Sequence, residues 1–257
     1  MAEYESFAFR GGHATARRDV ASAVKSALET YGSLYRWAAA QPAHDVFTGR
    51  GAAFGVTLGP RRAVVRHARR GGLIAPLLRD LFAGEPRFRH EIGMAGRLAA
   101  DGVDTPAVLA GVAYPAGPMH RADVATERVE GTDLAALIFG TGPPESAERD
   151  DVLRAVGRLV RRLHVAGYVH PDLQLRNVLV TPPPRRAVLL DVDTCRDATD
   201  AATRRDNLAR FYRSWDKWNR LHGPRLTDRD RLAFEEGYAE ALGLARCPRG
   251  RAAGSAS

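Results

Sequence analysis

The sequence predicts an α+β fold, with a small β-rich lobe followed by a mostly helical one. Three observations predict it. Between residues 44 and 70, short apolar runs alternate with turns rich in Gly and Pro. From residue 151 onward, apolar residues recur mainly at helical spacing. Inside that helical half, residues 169–193 carry an Asp and an Asn five positions apart, then two short apolar strands, the second ending in an acid. These signals divide the chain into an N-terminal helical extension (1–43), a β-rich lobe (44–130), a helical lobe (131–245) and a disordered tail (246–257) dominated by Gly, Arg, Ala and Ser.

Composition narrows the class. A chain of 257 residues with 45% hydrophobic and 26% charged residues can bury a sizeable core as one two-lobed domain. The net charge of +8, with Arg far outnumbering Lys, favours an anionic partner. A coding bias toward Arg, Ala and Gly produces the same excess. Cys195 and Cys247 form neither a disulfide framework nor a metal cluster, which fits a reducing cytoplasm. The first residues lack the basic start and apolar run of a signal peptide, and no apolar stretch approaches the ~18 residues that span a bilayer. Any membrane contact is therefore expected to be peripheral.

The elements follow in order. Val20, Val24, Leu28, Leu34 and Ala38 lie at helical spacing, so residues 19–40 are expected to form one helix, capped by Asp19 and stopped at Gln41 and Pro42. Residues 44–58 resemble strand, Gly-rich turn, strand; residues 63–66 are a third strand. Next comes the basic run Arg66, His67, Ala68, Arg69, Arg70. It leads into an apolar stripe from Leu73 to Phe82, either a helix packed on the sheet or one lying on a membrane surface. Residues 85–99 form a helix carrying Glu91. Residues 106–113 and 124–129 are strands, and 130–134 connect to a further helix. Helices over 151–163, 206–221 and 227–242 complete the chain.

Phosphoryl transfer needs in-line positioning, neutralised phosphate charge and a carboxylate that takes the nucleophile's proton. Asp172 is the candidate base. Asn177 and Asp191 offer the hard oxygen ligands that Mg²⁺ prefers, and Asp193 is either a second acid or a loop charge. His170 is expected to brace the loop rather than titrate. Gly49, Gly51 and Gly55 are expected to let backbone amides approach the phosphates of ATP, at a spacing one residue longer than Gly-x-Gly-x-x-Gly. Arg66 stands where a third-strand Lys is usual, with Glu91 its natural helix partner and Glu85 the rival. Glu127 and Val129, at the end of a strand, are expected against the nucleotide.

The string His170-Pro171-Asp172-Leu173-Gln174-Leu175-Arg176-Asn177-Val178-Leu179 resembles the catalytic loop of the bacterial lipopolysaccharide kinases, above all those acting on 3-deoxy-D-manno-octulosonic acid (Kdo). Three more stretches are similar: Val64 through Gly72 with its Arg-Arg-Gly-Gly turn, Leu189-Leu190-Asp191-Val192-Asp193, and Asn207-Leu208-Ala209-Arg210-Phe211. The likeness covers residues 46–221. Gln174, Pro171 and Val192 depart from it, and the N-terminal helix has no counterpart. The resemblance implies a protein-kinase-like two-lobed fold. It also implies ATP-dependent phosphorylation of a sugar hydroxyl on Kdo-lipid A at the cytoplasmic face of the inner membrane. Asp172 is then the base, Asn177 and Asp191 the Mg²⁺ ligands, and Arg66 a phosphate contact. An anionic glycolipid acceptor would be steered by the basic surface, with Arg69, Arg70, Arg176 and Gln174 as candidate contacts.

Other readings compete. A small-molecule kinase of the aminoglycoside or choline type takes cationic acceptors, against which the Arg-rich loops argue. A protein kinase would carry Lys where Gln174 stands. A non-catalytic pseudokinase has no need of all three of Asp172, Asn177 and Asp191. A nucleic-acid binder explains the charge but not the acids. The oligomeric state is not specified by any of these features.

Overall fold

A computed structural model describes residues 3–42, 45–48, 51–69, 80–198 and 200–240. Gly49, Arg70, the apolar stripe as far as residue 79 and the tail 246–257 lie outside them. The fold is mixed α/β. Its largest feature is a seven-stranded antiparallel sheet built from β1 (Tyr4–Phe9), β2 (Gly12–Arg17), β3 (Asp45–Thr48), β4 (Ala52–Leu58), β5 (Arg61–His67), β6 (Val108–Ala116) and β7 (Met119–Glu127). The spatial order is β1-β2-β6-β7-β5-β4-β3.

The N-terminal expectation is corrected. The first forty residues are not simply helical: β1 and β2 form a hairpin, and β2 pairs with β6, His13 opposite Ala113. The single helix expected over residues 19–40 is two, α1 (Arg18–Tyr31) and α2 (Leu34–Ala40). Gly32 splits them. It takes the left-handed conformation at φ 67° and its N–H closes on the Leu28 carbonyl, a C-cap that a side chain bearing Cβ adopts only at a cost. Ser33 then caps α2 by accepting from the Arg36 N–H.

These helices and the next one, α3 (Arg87–Ala100), cover opposite faces of the sheet. Val20, Val24 and Leu28 of α1 pack with Val65 and Ala125 in one cluster; Phe88, Met94 and Leu98 of α3 pack with Val124 in the other. Val124 and Ala125 are neighbours in β7, so the division follows the period-2 alternation of a strand. The end of the apolar stripe is not helical. Phe82 forms an antiparallel bridge with His120, each backbone N–H donating to the other's carbonyl at 2.8 Å.

Beyond the sheet, β8 (Thr132–Asp133), β10 (Val178–Val180) and β11 (Ala187–Leu189) make a small second sheet, and β9 (Tyr168–Val169) pairs with β12 (Arg196–Asp197). Helices α4 (Leu134–Phe139), α5 (Ser146–Val165), α6 (Ala201–His222) and α7 (Asp228–Ala239) surround them. The predicted apolar face of α5 is buried throughout, from Val152 to Leu163. Helix α6 begins earlier than its apolar pattern suggests, because Asp200 caps it on the Thr203 N–H at 2.7 Å. Phe211 and Trp215 of its predicted face are buried, whereas Leu221 is exposed. Helices α5 and α7 touch backbone to backbone: a Cβ at Gly157 would lie 2.2 Å from the Phe234 carbonyl oxygen, and one at Gly237 2.2 Å from that of Arg154.

Candidate active site

A loop and a hairpin bring the polar residues together. β9 leads into residues 170–177, and β10 and β11 return the chain to Asp191. His170 locks the two segments. Its Nδ1 accepts the Asp172 N–H at 3.1 Å, so Nε2 carries the proton and donates to the Leu190 carbonyl at 3.0 Å. Burial pushes the His170 pKa below its ordinary value, which keeps the ring neutral for both bonds. This is the bracing position the sequence suggests.

Asn177 is fixed as tightly. Its side-chain amide donates to the Asp172 carbonyl at 2.9 Å, and its own carbonyl accepts from the Leu190 N–H at 2.9 Å. With the amide nitrogen committed, Oδ1 remains as the atom to bind a cation. Asp191 is the one non-Gly residue at positive φ among the described residues, at 55°. That conformation costs an L-residue about 1–2 kcal/mol, so the surrounding bonds hold it there.

Across the cleft, β5 contributes Arg66 and α3 contributes Glu91. Arg66 Nη2 donates to Glu91 Oε1 at 2.7 Å, and the Glu91 side chain is only 6% exposed. Glu91 raises the Arg66 pKa above its usual value, with Asp191 and Asp193 adding to it. Burial pushes the Glu91 carboxyl upward while Arg66 pulls against it. The rival Glu85 pairs instead with Arg89, one helical turn on, at 3.5 Å.

Two cavities meet here. The first, about 300 Å³, is lined by charges of both signs: Arg66, Arg69 and Arg87 together with Asp172, Asp191 and Asp193. The second, about 460 Å³, is more apolar, with Val64, Val129, Leu179 and Val192 among its walls and Glu127 at its edge. Arg66 and Asp191 line both, so they stand at the junction.

The remaining predicted residues divide. Gly51 lines the first cavity; Gly55 lies in the paired part of β4, opposite Asp45 and Val64, and lines neither. Arg69 lines the first cavity. Arg176 lines the second, among the apolar walls, and not the side where Arg69 sits. Gln174 turns inward and donates from Nε2 to Asp172 Oδ2 at 2.9 Å.

Sequence reasoning missed three contributors. Arg210 on α6 donates from Nη2 to Asp172 Oδ1 at 2.6 Å. Arg87 begins α3 and approaches Asp193 at 3.9 Å. His67 lines the first cavity and is held between two acids: Nδ1 lies 2.6 Å from Asp123 Oδ1 and Nε2 3.2 Å from Asp80 Oδ2. Its pKa is raised, chiefly by the Asp123 bond. The fully buried Asp123 also accepts from Ser33 Oγ, the Tyr35 N–H and Tyr114 Oη on its other oxygen, at 2.9, 2.9 and 2.6 Å. A signal existed for Arg210, since Asn207, Arg210 and Ser214 are spaced to share one helix face.

Among the described residues, no three His, Cys, Asp or Glu side chains are grouped to hold a metal alone. A carboxylate beside an amide oxygen suits a hard cation that keeps its water and takes further oxygens from a phosphate. The cleft can thus hold an anionic group against its cations and a hydroxyl beside Asp172.

The model of the lipopolysaccharide kinase (Kdo/WaaP) family matches residues 36–238. The 3-deoxy-D-manno-octulosonic acid kinase of Vibrio parahaemolyticus is 31% identical over 175 residues, 66% of this chain and 71% of that one. Those of Actinobacillus succinogenes and Xylella fastidiosa are each 34% identical, over 184 residues (68% and 75% of the two chains) and 200 residues (75% and 76%). The matched span runs from inside α2 into α7 and takes in both walls of the cleft, and on that footing the chain is a member of the lipopolysaccharide kinase (Kdo/WaaP) family.

Proposed function

We propose that this kinase transfers the γ-phosphoryl group of ATP to a sugar hydroxyl of the lipopolysaccharide inner core, the Kdo of Kdo-lipid A, on a two-lobed, protein-kinase-like frame. The observation that carries this is that Asp172, Asn177 and Asp191 line one cavity with Arg66, which is itself bonded to Glu91. The names of the relatives supply the acceptor class.

The apolar second cavity takes the nucleoside, and Arg66 at the junction receives the phosphates. Asn177 and Asp191 would hold Mg²⁺, which neutralises phosphate charge when bound. Gly51 lines the same cavity packed against the Arg69 side chain, where a Cβ would lie 2.9 Å from Arg69 Nε, and offers its backbone to the phosphates beside that guanidinium. Asp172 accepts the proton of the acceptor hydroxyl as the new O–P bond forms. The bond between the γ-phosphorus and the β–γ bridging oxygen breaks, and its electron pair leaves with ADP. The proton on Asp172 passes to solvent as products depart.

Arg69, with Arg87, favours an acceptor carrying carboxylate and phosphate and disfavours a cationic aminoglycoside or choline. The acceptor is a membrane lipid. Among the described residues no helix is long and apolar enough to cross a bilayer. In this reading the chain meets the inner-membrane surface peripherally to reach that lipid. Incubating the purified chain with labelled ATP, Mg²⁺ and, separately, Kdo-lipid A, an aminoglycoside panel and a protein mixture tests the reading. Label is expected in Kdo-lipid A. Label only in protein or aminoglycoside would sink it.

A further inference from the structure

The loop that carries Asp172 has no cation of its own beside that carboxylate. Two residues on, Gln174 supplies a neutral amide. The structure delivers the missing charge from a distance: Arg210, 38 positions later on α6, meets Asp172 Oδ1 at 2.6 Å. Each carboxylate oxygen thus accepts one donor, Arg210 on Oδ1 and Gln174 on Oδ2. A carboxylate has about four lone-pair sites, so two fixed bonds orient it and still leave acceptor capacity toward the cleft that Asp172 lines.

Arg210 does not act alone on its helix. One turn earlier, Asn207 is buried against the start of the same loop, donating to the His170 carbonyl at 2.6 Å and accepting the His170 N–H at 3.3 Å. One turn later, Ser214 Oγ accepts the Leu175 N–H at 3.2 Å. Positions 207, 210 and 214 share one face of a helix. That face grips the loop before, at and after Asp172. The three bonds made by Asn207 and Ser214 are to backbone and set the loop's path. Only Arg210 reaches the side chain proposed to take the proton.

We propose that Arg210 is a positioning residue for phosphoryl transfer, supplying from helix α6 the fixed cation that aims the Asp172 carboxylate at the acceptor hydroxyl. This rests on the reading of Asp172 as the base. Arg210 keeps its own protons throughout; the hydroxyl proton moves to Asp172. Because Arg210 lines neither of the two cavities, its loss is felt in the transfer step and not in nucleotide binding.

The test compares Arg210→Ala, Arg210→Lys, Asp172→Asn and the double variant Asp172→Asn/Arg210→Ala, using ATP, Mg²⁺ and Kdo-lipid A. Arg210→Ala is expected to lower kcat on the order of 10- to 100-fold, the scale of a misaimed catalytic group, with KM for ATP within about 2-fold. Arg210→Lys is expected to recover part of the loss, and so is Arg210→Ala with millimolar guanidinium added. In the Asp172→Asn background, Arg210→Ala should cost less than about 2-fold more, since both changes disable one unit. An unchanged kcat in Arg210→Ala, or an undiminished multiplicative loss in the double variant, overturns the assignment while leaving Asp172 as the base. Full transfer by Asp172→Asn removes the base reading itself, and this inference with it. If Arg210→Ala does not fold, Arg210→Lys and Arg210→Gln carry the same comparison.

Discussion

Arg66 on β5 and Glu91 on α3 meet at 2.7 Å, with Glu91 almost sealed from water and Arg66 partly open to the cleft. The pair joins helix to sheet at the point where the two cavities meet. Removing one partner of such a pair strands the other charge, at a typical cost of about 3–5 kcal/mol. Because Arg66 retains some solvent, Glu91→Ala is expected near the lower end, about 3 kcal/mol. Urea unfolding followed by circular dichroism measures it. A midpoint unchanged at constant slope would rule the pair out as a structural clasp.

His67 couples stability to pH. Its raised pKa, caused first by the bond to Asp123 and then by Asp80, means that the folded state binds the proton more tightly than the unfolded chain does. The stabilisation is full below the unfolded value of about 6.5 and is lost as pH rises through the higher folded value. Denaturation midpoints should therefore decline on the alkaline side of that window. The slope should flatten in His67→Gln. Parallel slopes for the two proteins would contradict it.

The crossing of α5 and α7 reverses a familiar preference. Replacing a helical Gly by Ala ordinarily stabilises by about 1 kcal/mol. At Gly157 the new methyl would meet the Phe234 carbonyl at 2.2 Å, and at Gly237 that of Arg154 at 2.2 Å, both backbone atoms that cannot swing away. Overpacking of this kind costs about 1–3 kcal/mol. Gly157→Ala and Gly237→Ala should each lower the melting temperature, whereas Gly93→Ala, with nothing within 4 Å, should not. A rise in both crossing variants would refute the close approach.

Cys195 should be inert in the native protein. It is buried, and burial followed by the charge of Asp193 pushes its thiol up to about 12. Iodoacetamide at pH 8 should leave it unmodified, as peptide mass spectrometry would reveal, until denaturant is added. Rapid labelling without denaturant would count against the burial.

Much of this was legible in the sequence for a local reason. Asp172, Asn177 and Asp191 could be placed because a loop followed by two short strands fixes their spacing within about twenty positions. Arg66 and Glu91 could be paired because strand and helix are neighbours in the chain. What escaped notice depends on partners far away. The β1–β2 hairpin does carry strand formers, Tyr4, Phe7, Phe9 and Thr15, but its strands are short and its place is decided by β6, about a hundred positions later. In sequence Arg210 is not distinguishable from the other cations of its helix, because its role depends on how α6 is rotated against a loop 38 positions earlier. Arg176 was expected beside the acceptor, yet the short 3₁₀ turn over Leu175–Asn177 leaves it lining the second cavity.

Asp123 draws Ser33 and Tyr35 of the N-terminal segment onto a carboxylate that also holds His67 at the cleft. The family match begins at residue 36, partway along α2. A chain trimmed to that match would lose both donors, bare the sheet face now beneath α1 and leave β6, paired only with β7, as an edge strand. The border of the family match and the border of the packed unit therefore differ in this molecule: the matched residues depend, for a covered sheet and for the setting of their own histidine, on strands and a helix that precede residue 36.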